Sequence, residues 1–147
     1  MKHFAPRRHA RAALALALLA PLAFLGCESS KYKKVAQAAA GFALSVRAFQ
    51  QAEITAHAQG LVADDEHAAI ERALADVARA GLALDDAIRT AQSKPGATQE
   101  IDAALAAVDR LLNEGVLHVK NPRAQQDLQA LVLAARGFLA TISAVLR

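Results

Sequence analysis

An all-α fold, an antiparallel up-down-up-down four-helix bundle, is predicted by three features of this 147-residue sequence. Apolar residues recur alternately four and three apart through four long stretches, a spacing that lays them along one narrow stripe per helix. Ala and Leu dominate those stretches and β-branched runs are scarce, so intrinsic preference agrees with the pattern. Gly, Pro and Asn fall between the stretches and leave connections of a few residues, which force consecutive helices to lie antiparallel. Stripes of this period pack at about +20° as left-handed bundles.

The first helix is expected over about 31–59, with Gly60 as its stop, because glycine accepts the left-handed conformation that ends helices. Its stripe is Val35, Ala39, Phe42, Val46, Phe49, Glu53 and Ala56. The second, about 64–93, opens on Asp64-Asp65-Glu66, acids that suit an N-cap and the positive end of the helix dipole. Its stripe is His67, Ile70, Leu74, Val77, Gly81, Leu84, Ile88 and Ala91, and Ser93-Lys94-Pro95-Gly96 ends it. The third, about 98–114, starts at the N-cap Thr98 and runs through Ile101, Leu105, Val108 and Leu112. Gly115 is its expected end, although Val119 keeps the register and would allow continuation to Lys120. Asn121-Pro122 then supplies an N-cap and a proline at the first helical position. The fourth, 122–146, carries Leu128, Val132, Ala135, Leu139, Ile142 and Leu146.

Ahead of the bundle, residues 1–11 contain Lys2, Arg7, Arg8 and Arg11 and no acid. Residues 12–25 are uncharged but shorter than the ~20 apolar residues that span a bilayer, which suits the hydrophobic region of an export signal. Leu22-Ala23-Phe24-Leu25-Gly26-Cys27 resembles the lipobox of bacterial lipoproteins, with Phe24 and Leu25 where Leu and then a small residue are more usual. The resemblance covers residues 1–27. It implies acylation of the Cys27 thiol, cleavage between Gly26 and Cys27, and a further acyl chain on the new amino terminus. More than one chain matters, because each buried methylene contributes ~0.8 kcal/mol and a single chain anchors only marginally. In that family a residue other than Asp after the cysteine implies transfer to the outer membrane, and Glu28 stands there. The same residues also fit an ordinary signal cleaved after Gly26, leaving a free thiol, or an uncleaved anchor. The expected organisation is a signal peptide over 1–26, a lipidated tether over 27–30 and one bundle over 31–147.

The chain has 17 basic and 14 acidic residues, a net charge of +3. Removing the signal takes away Lys2, Arg7, Arg8 and Arg11, which leaves 13 basic against 14 acidic, or −1. The basic balance therefore belongs to the targeting segment, and nothing favours nucleic acid as a partner. Lys31, Lys33 and Lys34 follow the tether and are expected at lipid headgroup level, each gaining ~1 kcal/mol on an anionic surface. A soluble linker is the plainer reading of the same run. The topology places Lys31, Lys33, Lys34, Lys94 and Arg147 at the membrane-proximal end and Asp64, Asp65 and Glu66 at the distal end.

One cluster could carry chemistry. Glu53 and His57 lie four apart on the first helix, His67 heads the second, and a hairpin at Gly60 brings them together with Asp64. Carboxylates and imidazoles on facing helices can hold a divalent metal such as Zn²⁺. The simpler reading is a polar end layer with Glu53 paired to one of the histidines. A di-iron bundle would need Glu-x-x-His pairs, and the sequence offers only Glu53-x-x-x-His57 and Glu114-x-x-x-His118. His118 is expected to be exposed. No P-loop, dinucleotide fingerprint, nucleophile elbow or haem-attachment motif occurs. Leu44, Ile54, Leu82 and Leu117 fall off the stripes, a candidate patch for an envelope protein partner or simply ordinary exposed apolars.

The function expected from these features is a membrane-tethered cell-envelope lipoprotein of scaffold, adaptor or structural type, not an enzyme. The alternative is a periplasmic binding module that holds a divalent metal or a small apolar ligand in, or at the end of, the bundle.

Overall fold

The computed structural model describes residues 30–90 and 98–146. They form α1 (Ser30–Ala58), α2 (Asp64–Thr90), α3 (Thr98–Arg110) and α4 (Pro122–Leu146), with no strand among the described residues. The expected signal, Cys27, the 93–96 stop, Lys94 and Arg147 lie outside the described residues.

The helices form an antiparallel bundle in which α1 pairs most extensively with α4, and α2 with α3. Lys120, just before α4, donates its backbone N–H to Glu66 in the first turn of α2. The end of α1, the start of α2 and the start of α4 therefore share one pole of the bundle. Lys31, Lys33 and Lys34 lie at the other pole, about 40 Å away along the 29-residue α1 at 1.5 Å per residue. Among the described residues, the expected separation of lysines from the Asp64–Glu66 cluster is present.

The stripes become the core. Val35, Phe42, Val46, Phe49, Ile70, Leu74, Val77, Leu84, Ile101, Val108, Leu128, Val132, Leu139 and Ile142 are buried. The α3 stripe is rotated from expectation, and the α1 stripe differs at one position. On α1, Ala38 is buried and Ala39 only partly so; on α3, Ala104, Ala107 and Leu111 are buried while Leu105 and Leu112 are half-buried. Alanine lets a neighbouring helix approach closely, so a face rich in Ala can turn inward at the expense of a Leu beside it.

Close approach also explains Gly41. A Cβ there would collide with the Phe138 ring of α4, so the residue that is poor in a helix interior makes room for that ring between α1 and α4. Gly60 takes φ 71° and closes α1, with Leu61 N–H bonded to Ala56 O and Gly60 N–H to His57 O, a Schellman arrangement. Gly115 does not end the third helix as expected. The chain passes from α3 through a π turn (Leu111–Gly115) and a 3₁₀ turn (Val116–His118), and extended backbone begins only at Val119. Gly115 is buried, and a Cβ on it would stand 3.2 Å from Ile70 Cγ1, so its role is close packing against α2.

By length and composition α4 could cross a membrane. In the bundle its Leu128, Val132, Ala135, Leu139 and Ile142 side is packed inside, and core helices of soluble bundles pass the same test.

Candidate functional site

The predicted cluster assembles at the pole formed by the α1–α2 hairpin. Glu53 is 1% exposed, although it occupies a stripe position otherwise filled by apolar residues. It is tolerated there because His67 Nδ1 lies 2.6 Å from its Oε1, and a buried carboxylate needs such a partner. The imidazole donates and the carboxylate accepts. His57 Nδ1–H donates to Val62 O at 3.0 Å, an assignment forced by a carbonyl that can only accept.

The two imidazoles stack, with centroids 4.1 Å apart and 6° between planes. Their Nε2 atoms each have a carboxylate in the neighbourhood: Asp64 at 3.8 Å from His57 and Glu71 at 3.7 Å from His67. All four residues of the sequence-predicted set thus converge, but in distinct roles. Glu53 is committed to His67, and Asp64 is solvated at the rim. Glu71 joins the cluster one helical turn beyond His67, a neighbour legible only as an (i, i+4) spacing.

This arrangement serves hydrogen bonding better than coordination. Two histidines on one Zn²⁺ must aim their in-plane lone pairs at a single point about 2.0–2.1 Å from each nitrogen. Stacked rings keep those lone pairs in parallel planes that do not meet, so the stack would have to open for both rings to bind one ion. Among the described residues, no three His, Cys, Asp or Glu side chains surround such a point.

Sequence reasoning grouped Glu66 with Asp64 and Asp65 as acids suited to the helix start and missed its burial and its long-range partner. Glu66 is 6% exposed and joins three segments. Its Oε2 accepts from Ala63 N–H at 2.9 Å, the reach-back of a capping box, and its Oε1 accepts from Lys120 N–H at 3.1 Å. Lys120 Nζ stands 3.8 Å away. Glu at the third helical position was the available signal. Asn121 Oδ1 meanwhile caps α4 by accepting from Arg123 and Ala124 N–H, as its place before Pro122 predicts. His118 is exposed.

Further along the bundle, the seams of all four helices meet around Val46, Phe49, Val77, Val108, Leu111 and Val132. The void between them is about 10 Å³, no more than a single water needs. No family model matches the chain, and no similar curated protein or solved structure was found.

Proposed function

We propose that this chain is a lipid-anchored protein of the bacterial cell envelope, held at the periplasmic face of the outer membrane, with a non-enzymatic scaffold or adaptor role. The observation that carries the reading is the run from Arg7 to Cys27: basic residues, an uncharged apolar segment, then Gly26-Cys27. Its close join to the bundle supports it, since α1 begins at Ser30, three residues after the cysteine.

The tight packing where the four seams meet favours a scaffold over a carrier that holds a small apolar ligand there. A ligand pocket is on the scale of ~300 Å³ or more, against about 10 Å³ where the seams meet. The polar pole is likewise consistent with structure: its carboxylates and imidazoles are engaged with one another and with backbone. The metal-binding alternative is tested by isothermal titration of the purified protein with Zn²⁺; heat that disappears in His57→Ala would support it.

The deciding experiment is metabolic labelling with palmitate, comparing the wild type with Cys27→Ser. Label in the wild type and none in the variant is the expected result. An unlabelled, freely soluble wild type would sink the anchor. Crosslinking and pull-down from native membranes then identifies what the bundle holds.

A further inference from the structure

The bundle divides by charge between its two helix pairs. α1 and α4 carry six basic residues (Lys31, Lys33, Lys34, Arg47, Arg123, Arg136) against two acidic (Glu53, Asp127), a balance of +4. α2 and α3 carry four basic against ten acidic, a balance of −6. Since these are also the two pairs that pack most extensively, one half of the bundle carries net positive charge and the other net negative.

The basic half also exposes apolar side chains along α1 and α4. From Ala130 to Ala144 the only charge on α4 is Arg136, which is drawn sideways to Asp109 of α3 at 2.8 Å. Leu133 on α4 is 47% exposed and Leu44 on α1 is 65% exposed. Lys31, Lys33 and Lys34 are exposed, and none makes an ion pair among the described residues.

We infer that the α1–α4 side is a docking surface for an anionic lipid membrane, on which the tethered bundle lies lengthwise rather than standing on its lysine-bearing end. The inference rests on the proposed lipid anchor. Three residues from Cys27 to Ser30 span at most about 11 Å, which keeps the three lysines close to the ~8 Å reach of the surface potential. Attraction of the basic half and repulsion of the acidic half then act in the same sense, so the field selects one face. Leu133 and Leu44 add apolar contact at the interface. A second copy offering its acidic half is the competing occupant. The membrane is favoured because the lysines cluster directly after the anchor and because, beyond Asp127, the exposed residues of α4 are uncharged except for Arg136, which is turned toward Asp109.

The chain contains no Trp, so a single introduced indole is a clean reporter. Leu133→Trp and, as the far-side control, Leu82→Trp on α2 replace residues that are already exposed. The full chain, extracted from membranes, is reconstituted into vesicles of phosphatidylcholine alone and of phosphatidylcholine mixed equally with phosphatidylglycerol. The expected result is that the α4 reporter of Leu133→Trp is shielded from acrylamide and quenched by headgroup-level spin-labelled lipid in the anionic vesicles only. The α2 reporter of Leu82→Trp stays open to acrylamide in both. Changing all three lysines to Gln is expected to lower the docked-to-free ratio on the order of a hundredfold, about fivefold per residue. Equal quenching of the two reporters in anionic vesicles overturns the docking surface. Shielding of the α4 reporter that is equal in neutral vesicles and grows with protein density overturns it in favour of self-association. Mass measurement of the amino-terminal peptide from the same sample separates the two readings: acylated Cys27 with undifferentiated reporters leaves the anchor standing and removes only the docking.

Discussion

The middle of the bundle and its hairpin pole are both buried, yet they are held together by different means. Around Phe49, Leu128, Leu139 and Ile142 the packing is entirely apolar, and what matters is volume. At the pole, Glu53 and Glu66 are as well buried as that core, and what matters is which atom meets which. An apolar seam forgives an exchange of one shape for a similar one. A buried carboxylate does not forgive the loss of its donor, because the uncompensated charge remains behind. The lesson is that equal burial does not mean equal tolerance.

The sharpest trial of that contrast is Leu139, which is fully enclosed. Leu139→Ala is expected to cost about 4 kcal/mol through lost transfer energy and the cavity left behind. Leu139→Met should cost under about 1.5 kcal/mol, because volume is nearly kept. Urea unfolding followed by circular dichroism measures both. Similar losses for the two would mean the seam reads more than volume.

At the pole, His67→Ala is expected to cost about 3 kcal/mol by stranding Glu53. Exchanging both partners for apolar residues, Glu53→Leu with His67→Phe, should bring stability back to within about 1 kcal/mol of the wild type, since a buried pair contributes little beyond satisfying itself. The same unfolding measurement completes a double-mutant cycle. If the double variant is as unstable as the singles combined, the pair does not act as a unit.

The smallest effect probes the contact between α1 and α4 at Gly41. Ala is about 1 kcal/mol better than Gly inside a helix, but at Gly41 its Cβ would displace the Phe138 ring. Gly41→Ala is therefore expected to be neutral to slightly destabilising alone and to stabilise by about 1 kcal/mol when Phe138→Ala has cleared the space. Equal effects in both backgrounds would show that the ring does not set the α1–α4 separation.

Much of the molecule was legible in the chain. Asn121-Pro122 announced the start of α4, Gly60 the end of α1, and the four-three spacing nearly every core residue of α1 and α4, because caps, turns and periodicity are properties of a few neighbouring residues. The convergence of Glu53, His57, His67 and Asp64 was also readable, since a tight hairpin leaves no other place for them. The stacking of the imidazoles was not, and neither was the reach of Glu66 to Lys120, which lies 54 positions away.

By itself, then, the sequence determined that four helices form, where they begin, which sides of α1 and α4 face inward, and the signature at Cys27 on which the proposed anchor rests. Each depends on local chemistry. Only the tertiary structure decided that α1 seats against α4, that Ala104 and Ala107 turn inward ahead of Leu105, and that Gly115 packs against Ile70 rather than stopping a helix. Those outcomes depend on how closely two backbones can approach, which belongs to a pair of surfaces and cannot be read from one. The separation of charge between the two halves of the bundle arises the same way, from which helices are neighbours.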